Sequence, residues 1–252
     1  MEAKNSLDLL AKGIAEEEPD IIALQEINQS KKKRIIKDKA LELYSLVKEN
    51  AVKKDNYAFL LREKLSKMEH SYYWTWLPIK EGYKSFDEGL AFLTKKPIEK
   101  TDSILLTETD DYSNWKKRMA LGVYIEKQWY YNVHLGWFDD TLEPFKNQWK
   151  TFIDNRNCDW IIGDFNNDAN VKNEGYDLVC KSGFYDTYTL AKNKDNGITV
   201  ENEIAGWKGD NTKKRIDFIF SKNKIPIKSS YVIFNGKNQA VVSDHFGVII
   251  EI

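Results

Sequence analysis

Residues Trp160 to Asp168 read WIIGDFNND. A short apolar run closed by glycine and a cluster of Asx residues reads as a buried strand that ends abruptly, which places the chain among sheet-containing folds. Gly163 lets the backbone leave the sheet. Asp164 and Asn166 then stand at i and i+2 of a strand-like segment, so a carboxylate and a carboxamide project together from the end of the sheet. That pair suits hydrolysis at phosphorus. The carboxylate can orient or deprotonate a water or hold a divalent cation, and the amide can stabilise charge on a phosphoryl oxygen. An Asx-rich turn closing a strand is the plain alternative.

The remaining chain supplies strands and helices on both sides of this stretch. Leu7, Leu10, Ala11 and Ile14 fall at helical spacing, and Pro19-Asp20 ends that helix. A strand over Ile21–Glu26 follows, with Glu26 at its C-terminal end. The KKKR run within Ser30–Lys39 reads as a solvated loop and helix face, with an anion site as the alternative. Asn56 is placed to cap a helix reaching Met68. Strands are expected at Tyr72–Ile79, Gly89–Thr94, Ile104–Thr107, Met119–Ile125 and Trp129–His134, the last two joined as a hairpin through Lys127-Gln128. Asp140 to Glu143 has capping-box spacing before a helix that reaches Asp154. A helix near Glu174–Lys181, an irregular stretch to Asn211, and strands at Lys213–Phe220, Ser230–Phe234 and Phe246–Ile252 complete the order. No repeat or linker interrupts it, so one α/β or α+β domain is expected.

At 252 residues the chain can bury one large core. Its formal net charge of −1 supplies no global basic field for nucleic acid. No apolar run is long enough to span a membrane. Cys158 and Cys180 lack metal-ligand spacing and read as structural thiols, and the charged amphipathic N-terminus is no signal peptide, so a cytoplasmic protein is expected.

Four further places put polar groups at strand ends: Glu26, His134 in YNVHLGW, Asp217 in RIDFIF, and Asp244-His245 in VVSDH. Each has an ordinary alternative. Glu26 could be a surface acid, His134 a satisfied core histidine, Asp217 a partner of Arg215 or Lys214, and Asp244 a turn cap. Their joint order, QE, VHL, GDFN, RIDFIF, SDH, resembles the endonuclease/exonuclease/phosphatase superfamily, which includes pancreatic-type deoxyribonuclease. The resemblance covers essentially the whole chain.

It implies a DNase I-like four-layer α/β sandwich, with two mixed sheets packed face to face, helices outside, and a Mg2+-dependent site at one sheet edge (Mn2+ being the alternative ion). By resemblance, Glu26 is a metal ligand and Asp244 an additional acidic ligand or water-orienting group. Asp164 positions or deprotonates the attacking water, and Asn166 donates to a phosphoryl oxygen. His245 contacts the scissile phosphate and Asp217 orients it. His134 is a second phosphate donor or general acid. A histidine beside a carboxylate is expected to have a raised pKa. The family opens on a strand that ends in a functional asparagine, ahead of the helix that opens this sequence. That piece is absent here, and weakened activity or stability is expected of this form.

Segments such as YYWTWLPIKEGYKSFDEGLAFLTKKPI, YNVHLGWFDD and VVSDHFGV resemble the bacterial branch that contains maltose 6'-phosphate phosphatases. A phosphorylated sugar is the implied substrate, with a phosphodiesterase acting on nucleic acid or phospholipid headgroups, and a weakened or non-catalytic homologue, as the alternatives. Trp76, Tyr83, Trp137 and Trp207 stand in or beside loops expected to rim the site, where flat rings suit sugar C–H faces, though packing between sheets is the alternative for several of them. Arg118 could clamp a phosphate bidentately or simply be an exposed arginine before a strand.

Overall fold

The computed structural model describes residues 2–37, 41–202, 209 and 212–252. Helix α1 (Glu2–Glu17) buries Leu7, Ala11 and Ile14, one stripe at i, i+4 and i+7. It stops where Glu18 takes a left-handed φ of +48° and Pro19 follows. Helix α2 (Tyr57–Lys67) starts where the Asn56 side chain accepts the Phe59 N–H at 3.1 Å, as its sequence position predicts. Both helices cover a three-stranded antiparallel sheet of order β1-β3-β2, formed by β1 (Ile21–Ser30), β2 (Tyr73–Gly82) and β3 (Phe86–Thr94). Tyr72, Trp74 and Trp76 are sealed beneath them, and burying each ring contributes roughly 2–3 kcal/mol.

The opposite face of that sheet meets a six-stranded mixed sheet across Leu77, Leu90, Phe92, Leu121 and Val123. The second sheet runs β4-β5-β6-β7-β10-β8, with β4 (Lys100–Leu105), β5 (Met119–Ile125), β6 (Gln128–His134), β7 (Trp160–Asp164), β8 (Tyr185–Asp186) and β10 (Asp217–Ser221). Helices α3 (Phe145–Asn155) and α4 (Gly175–Lys181) cover its outer face through Phe145, Trp149, Phe152 and Val179. Helices, sheet, sheet, helices: these are the four layers that the family resemblance implies.

A third group of strands has the order β12-β11-β9, made of β9 (Ala191–Lys194), β11 (Ile227–Ile233) and β12 (Gly247–Glu251). The short helix α5 (Thr187–Leu190) precedes it. Helix α1 reaches this group, since Gly13 lies so close to the Phe234 ring that an added Cβ would stand 2.4 Å from it.

Several local expectations are corrected. Strand β1 does not end at Glu26 but continues to Ser30, with a register shift between Leu24 and Ile27. The hairpin between β5 and β6 turns on Glu126-Lys127, both at positive φ as a two-residue primed turn requires, not on Lys127-Gln128. Asp140 caps a turn rather than α3. Its Oδ1 accepts the Leu142 and Glu143 N–H groups, whereas α3 begins after Pro144 with no side-chain cap. The described residues of the basic run, 31–37, form an exposed loop rather than a helix. The stretch expected to be irregular holds β8, α5 and β9.

Gly163 stays in the sheet, paired to Val133 and Phe218. Its φ of +140° and an added Cβ's distance of 2.0 Å from the Val133 carbonyl oxygen explain the glycine.

Candidate active site

Strands β6 and β7 are parallel because α3 carries the chain back between them. Their C-terminal ends therefore lie together, and His134 pairs in register with Asp164. Antiparallel β10 adds Asp217 directly opposite Asp164 on the other side. Three adjacent strands thus set His134, Asp164 and Asp217 side by side, about 5 Å apart strand to strand. His134 Nε2 lies 3.5 Å from Asp164 Oδ2.

The sequence WIIGDFNND proves to be both a turn and a site. Asp164 Oδ1 accepts the Asn166 backbone N–H at 2.7 Å, an Asx turn, and Asn166 takes a φ of +49°. Strand alternation therefore does not bring the two side chains together; the turn does. The Asn166 amide donates to the Leu135 carbonyl at 2.9 Å and to Asp164 Oδ2 at 3.2 Å, so in this arrangement it holds the aspartate.

His245 joins the row from the loop before β12. Its Nδ1 lies 3.0 Å and 3.2 Å from the two oxygens of Asp217, which pairs with His245 rather than with Arg215 or Lys214. Arg215 instead binds Asp186 at 2.8 Å and lies over the rings of Tyr176, Tyr188 and Phe218. Buried Thr199 links the two partners: its Oγ1 accepts the N–H groups of Ile216 and Asp217, and its carbonyl accepts that of Phe246.

Glu26 approaches from the other sheet. At the β1 irregularity it has a φ of +54°, and its exposed carboxylate lies 4.0 Å from His134 Nδ1. Asn132, two residues before His134 and on the same face of β6, fixes this junction. Its amide donates to the carbonyls of Leu24 and Ala91 at 2.9 Å each, and its oxygen accepts from Gln25 at 2.7 Å, so one buried side chain ties the two sheets beside Glu26.

Charges here are strongly perturbed. Burial drives the Asp164 pKa up, helped by Asp217 and opposed by His245, to about 7. Burial disfavours the charged form of His245, but the hydrogen bond and charge of Asp217, then Asp164 and Asp244, outweigh it and raise its pKa to about 10. His134 behaves oppositely. Burial, then the positive charges of Arg118, Lys80 and His245, hold it well below the usual imidazole range. The expected rise therefore applies to His245 and not to His134, which is neutral and thus no acid at neutral pH.

Desolvation, then the charge of Glu88, raises the Glu26 pKa, with Asp244 helping and Lys80 and His245 opposing, and Asp244 is exposed. Among the described residues the Glu26 carboxylate accepts no hydrogen bond, and that of Asp244 accepts one from Ser243. Two accessible carboxylates suit a hard divalent cation that keeps several of its waters. Asp164, Asp217 and His245 also bring one ligand atom each within 4.8 Å of one another. A divalent-metal site is thus available in the donor chemistry.

The expected substrate-binding residues fare differently. Trp76 is wholly buried and donates its indole N–H to the Ile27 carbonyl, so it is core rather than rim. Tyr83 stands 89% exposed in the turn between β2 and β3. Trp207 lies outside the described residues. Trp137 is half-buried and follows three residues after His134. Arg118 is not an exposed arginine. It is buried, it donates through Nη1 to the carbonyls of Trp115 and Lys117, and its Nε has no partner among the described residues. Burial lowers its pKa against the opposing charge of Asp164, Glu88 and Glu26. Asn132, Thr199 and Lys80 had not been anticipated. The asparagine could have been noticed as a lone amide inside an apolar strand, but nothing local to the other two marks them.

Carboxylates and imidazoles gathered at one edge of two packed sheets, with helices outside, define a phosphoesterase of the DNase I-like class. The chain belongs to the endonuclease/exonuclease/phosphatase family, whose pattern it matches over residues 2–245. An endonuclease/exonuclease/phosphatase family protein from Leptotrichia buccalis is similar at 33% identity and a TM-score of 0.84, covering 99% of this chain and 94% of that one. A mannosyl-6-phosphatase from Bacteroides thetaiotaomicron shares the fold at 16% identity and a TM-score of 0.63, over 98% and 90% of the two chains. So does a 3' phosphatase from Neisseria bound to a product DNA hairpin, at 16% identity and a TM-score of 0.61, over 98% and 94%. No curated protein sequence matches this chain significantly. Family members are phosphoric ester hydrolases, and no described helix is long and apolar enough to cross a membrane.

Proposed function

We propose that this chain is a Mg2+-dependent phosphatase that releases phosphate from a sugar phosphate of the maltose 6'-phosphate type by direct attack of water. The observation that carries the chemistry is the row His134, Asp164, Asp217 with His245 held on Asp217. Glu26 and Asp244 would hold the cation, with Mn2+ as a second fitting ion. When bound, it supplies positive charge to the phosphoryl oxygens.

Asp164, with a pKa near neutrality, takes a proton from the attacking water as its oxygen bonds to phosphorus. His245 is protonated at that pH and donates toward the phosphoryl group or the departing sugar oxygen as the P–O bond breaks. Asp217 keeps that imidazole charged and oriented. Neutral His134 has a single N–H to offer, directed to a phosphoryl oxygen, and Arg118 adds fixed positive charge behind the row. Asn166 holds Asp164 in place and turns to the phosphoryl oxygen only if its amide leaves Leu135.

The sugar reading is supported by aromatic side chains in the loops beside the row and by a net charge of −1, which gives no nucleic-acid field. A phosphodiesterase is the second reading, supported by the exposed basic loop that follows β1. The free thiols of Cys158 and Cys180 suit a cytoplasmic setting. The test is a panel with Mg2+ and with EDTA: phosphate release from maltose 6'-phosphate, nicking of plasmid DNA, and cleavage of sphingomyelin. Release from the sugar phosphate alone, abolished by EDTA, is expected; activity confined to the diesters would overturn the reading.

A further inference from the structure

Trp115 is a large apolar ring left 54% exposed, on a backbone held by several side chains. Its carbonyl oxygen accepts Arg118 Nη1 at 2.9 Å and Lys80 Nζ at 3.1 Å. The next residue, Lys116, is clamped by both oxygens of Asp140 at 2.7 and 2.8 Å, which ties the loop between β4 and β5 to the loop after β6. The start of the loop is held as well, since the Glu143 carboxylate accepts the N–H groups of Glu108 and Thr109.

The ring's position ties it to the reaction centre. The two cations that grip the Trp115 carbonyl, Lys80 and Arg118, are two of the three positive charges that act on His134. The indole also lies 5.9 Å from that of Trp137, tilted by 59°, and Trp137 follows three residues after His134 in the chain. Trp115 thus stands beside Trp137, on the chain segments that flank His134, as an exposed ring next to the Lys116 ammonium. An indole face packs well against the C–H face of a pyranose, and the Lys116 ammonium, 5.3 Å from the ring centroid, borders that face.

We propose that Trp115 is the specificity-determining residue of this site, stacking against the sugar ring of the phosphomonoester. This rests on the sugar-phosphatase reading above. The loop between β4 and β5 is then a preformed wall of the leaving-group pocket, and Lys116–Asp140 is the clasp that keeps it in position.

The test compares Trp115→Ala and Trp115→Phe with the unaltered enzyme. It uses hexose 6-phosphate and glycerol 3-phosphate as substrates with Mg2+, and calorimetric binding of hexose 6-phosphate. Trp115→Ala should raise KM and weaken binding for the hexose phosphate about fivefold to tenfold, with kcat and the glycerol phosphate kinetics within about twofold, and Trp115→Phe should restore most of the loss. Hydrolysis of the hexose phosphate that ignores the substitution, or an equal loss on both substrates, overturns the role of Trp115 and leaves the phosphatase reading standing. Trp115-dependent binding without phosphate release supports the platform and overturns the phosphatase reading. Neither binding nor release overturns both.

Discussion

The Nδ1 of His245 lies 3.0 Å from Oδ2 of Asp217, so an imidazole on the last loop is held by a carboxylate at the first residue of β10. The consequence is a charged histidine at neutral pH beside an Asp164 whose pKa is pushed up to about 7. The pH profile of kcat/KM should rise as Asp164 ionises near 7 and fall as His245 loses its proton near 10. Asp217→Asn should draw the alkaline limb toward neutrality.

The same pair makes stability pH-dependent. His245 binds its proton more tightly in the folded chain than at its ordinary 6.5, so its contribution is complete below 6.5 and fades as pH rises through about 10. Thermal midpoints of the unaltered chain should fall across that window. A fall of the same size in Asp217→Asn would show that the pair is not its source.

Thr199 grips Asp217 through its hydroxyl and Phe246, next to His245, through its carbonyl. Thr199→Val removes the hydroxyl and keeps the shape. We expect kcat to fall about tenfold to a hundredfold with KM little changed, and Thr199→Ser to recover most of it. Equal losses in the serine and valine variants would reduce Thr199 to a packing role.

Asn132 satisfies the carbonyls of Leu24 and Ala91 across the sheet interface. Asn132→Leu strands both and should cost about 2–4 kcal/mol in urea unfolding, with weaker metal affinity as Glu26 shifts. A variant as stable as the unaltered chain would contradict this account of the junction.

Gly163 is needed for its positive φ and for its approach to the Val133 carbonyl. Gly163→Ala should lower stability by about 1–3 kcal/mol, read as a drop in thermal midpoint. An unchanged midpoint would mean that β6 and β7 can part at no cost.

Much of the fold and the centre of the site could be read from residue order. Apolar strands that end in Asp164 and His134 or begin at Asp217 are local patterns, and sheet pairing turns such ends into neighbours. The Asn56 cap was likewise legible, because a cap is made within four residues. What escaped depends on partners far away in sequence. Trp76 sits in a rim-like aromatic stretch, and only the helices packed over its sheet make it core. Glu26 looks like a strand end because a bulge leaves no mark in composition. Asp140 has the spacing of a helix cap, but Pro144 starts α3 later and the aspartate serves Lys116 instead. Trp115 is an unremarkable loop tryptophan until Lys80 and Arg118 are seen to grip its carbonyl.

The central claim is that the carboxylate of Asp164, set between His134 and Asp217, activates the water that attacks phosphorus. Asp164→Asn keeps the size and the Asx-turn acceptor while removing the base. With Mg2+ and maltose 6'-phosphate, kcat should fall about a thousandfold at pH 8 with an unchanged thermal midpoint. A variant that retains more than about a tenth of the activity would contradict the claim.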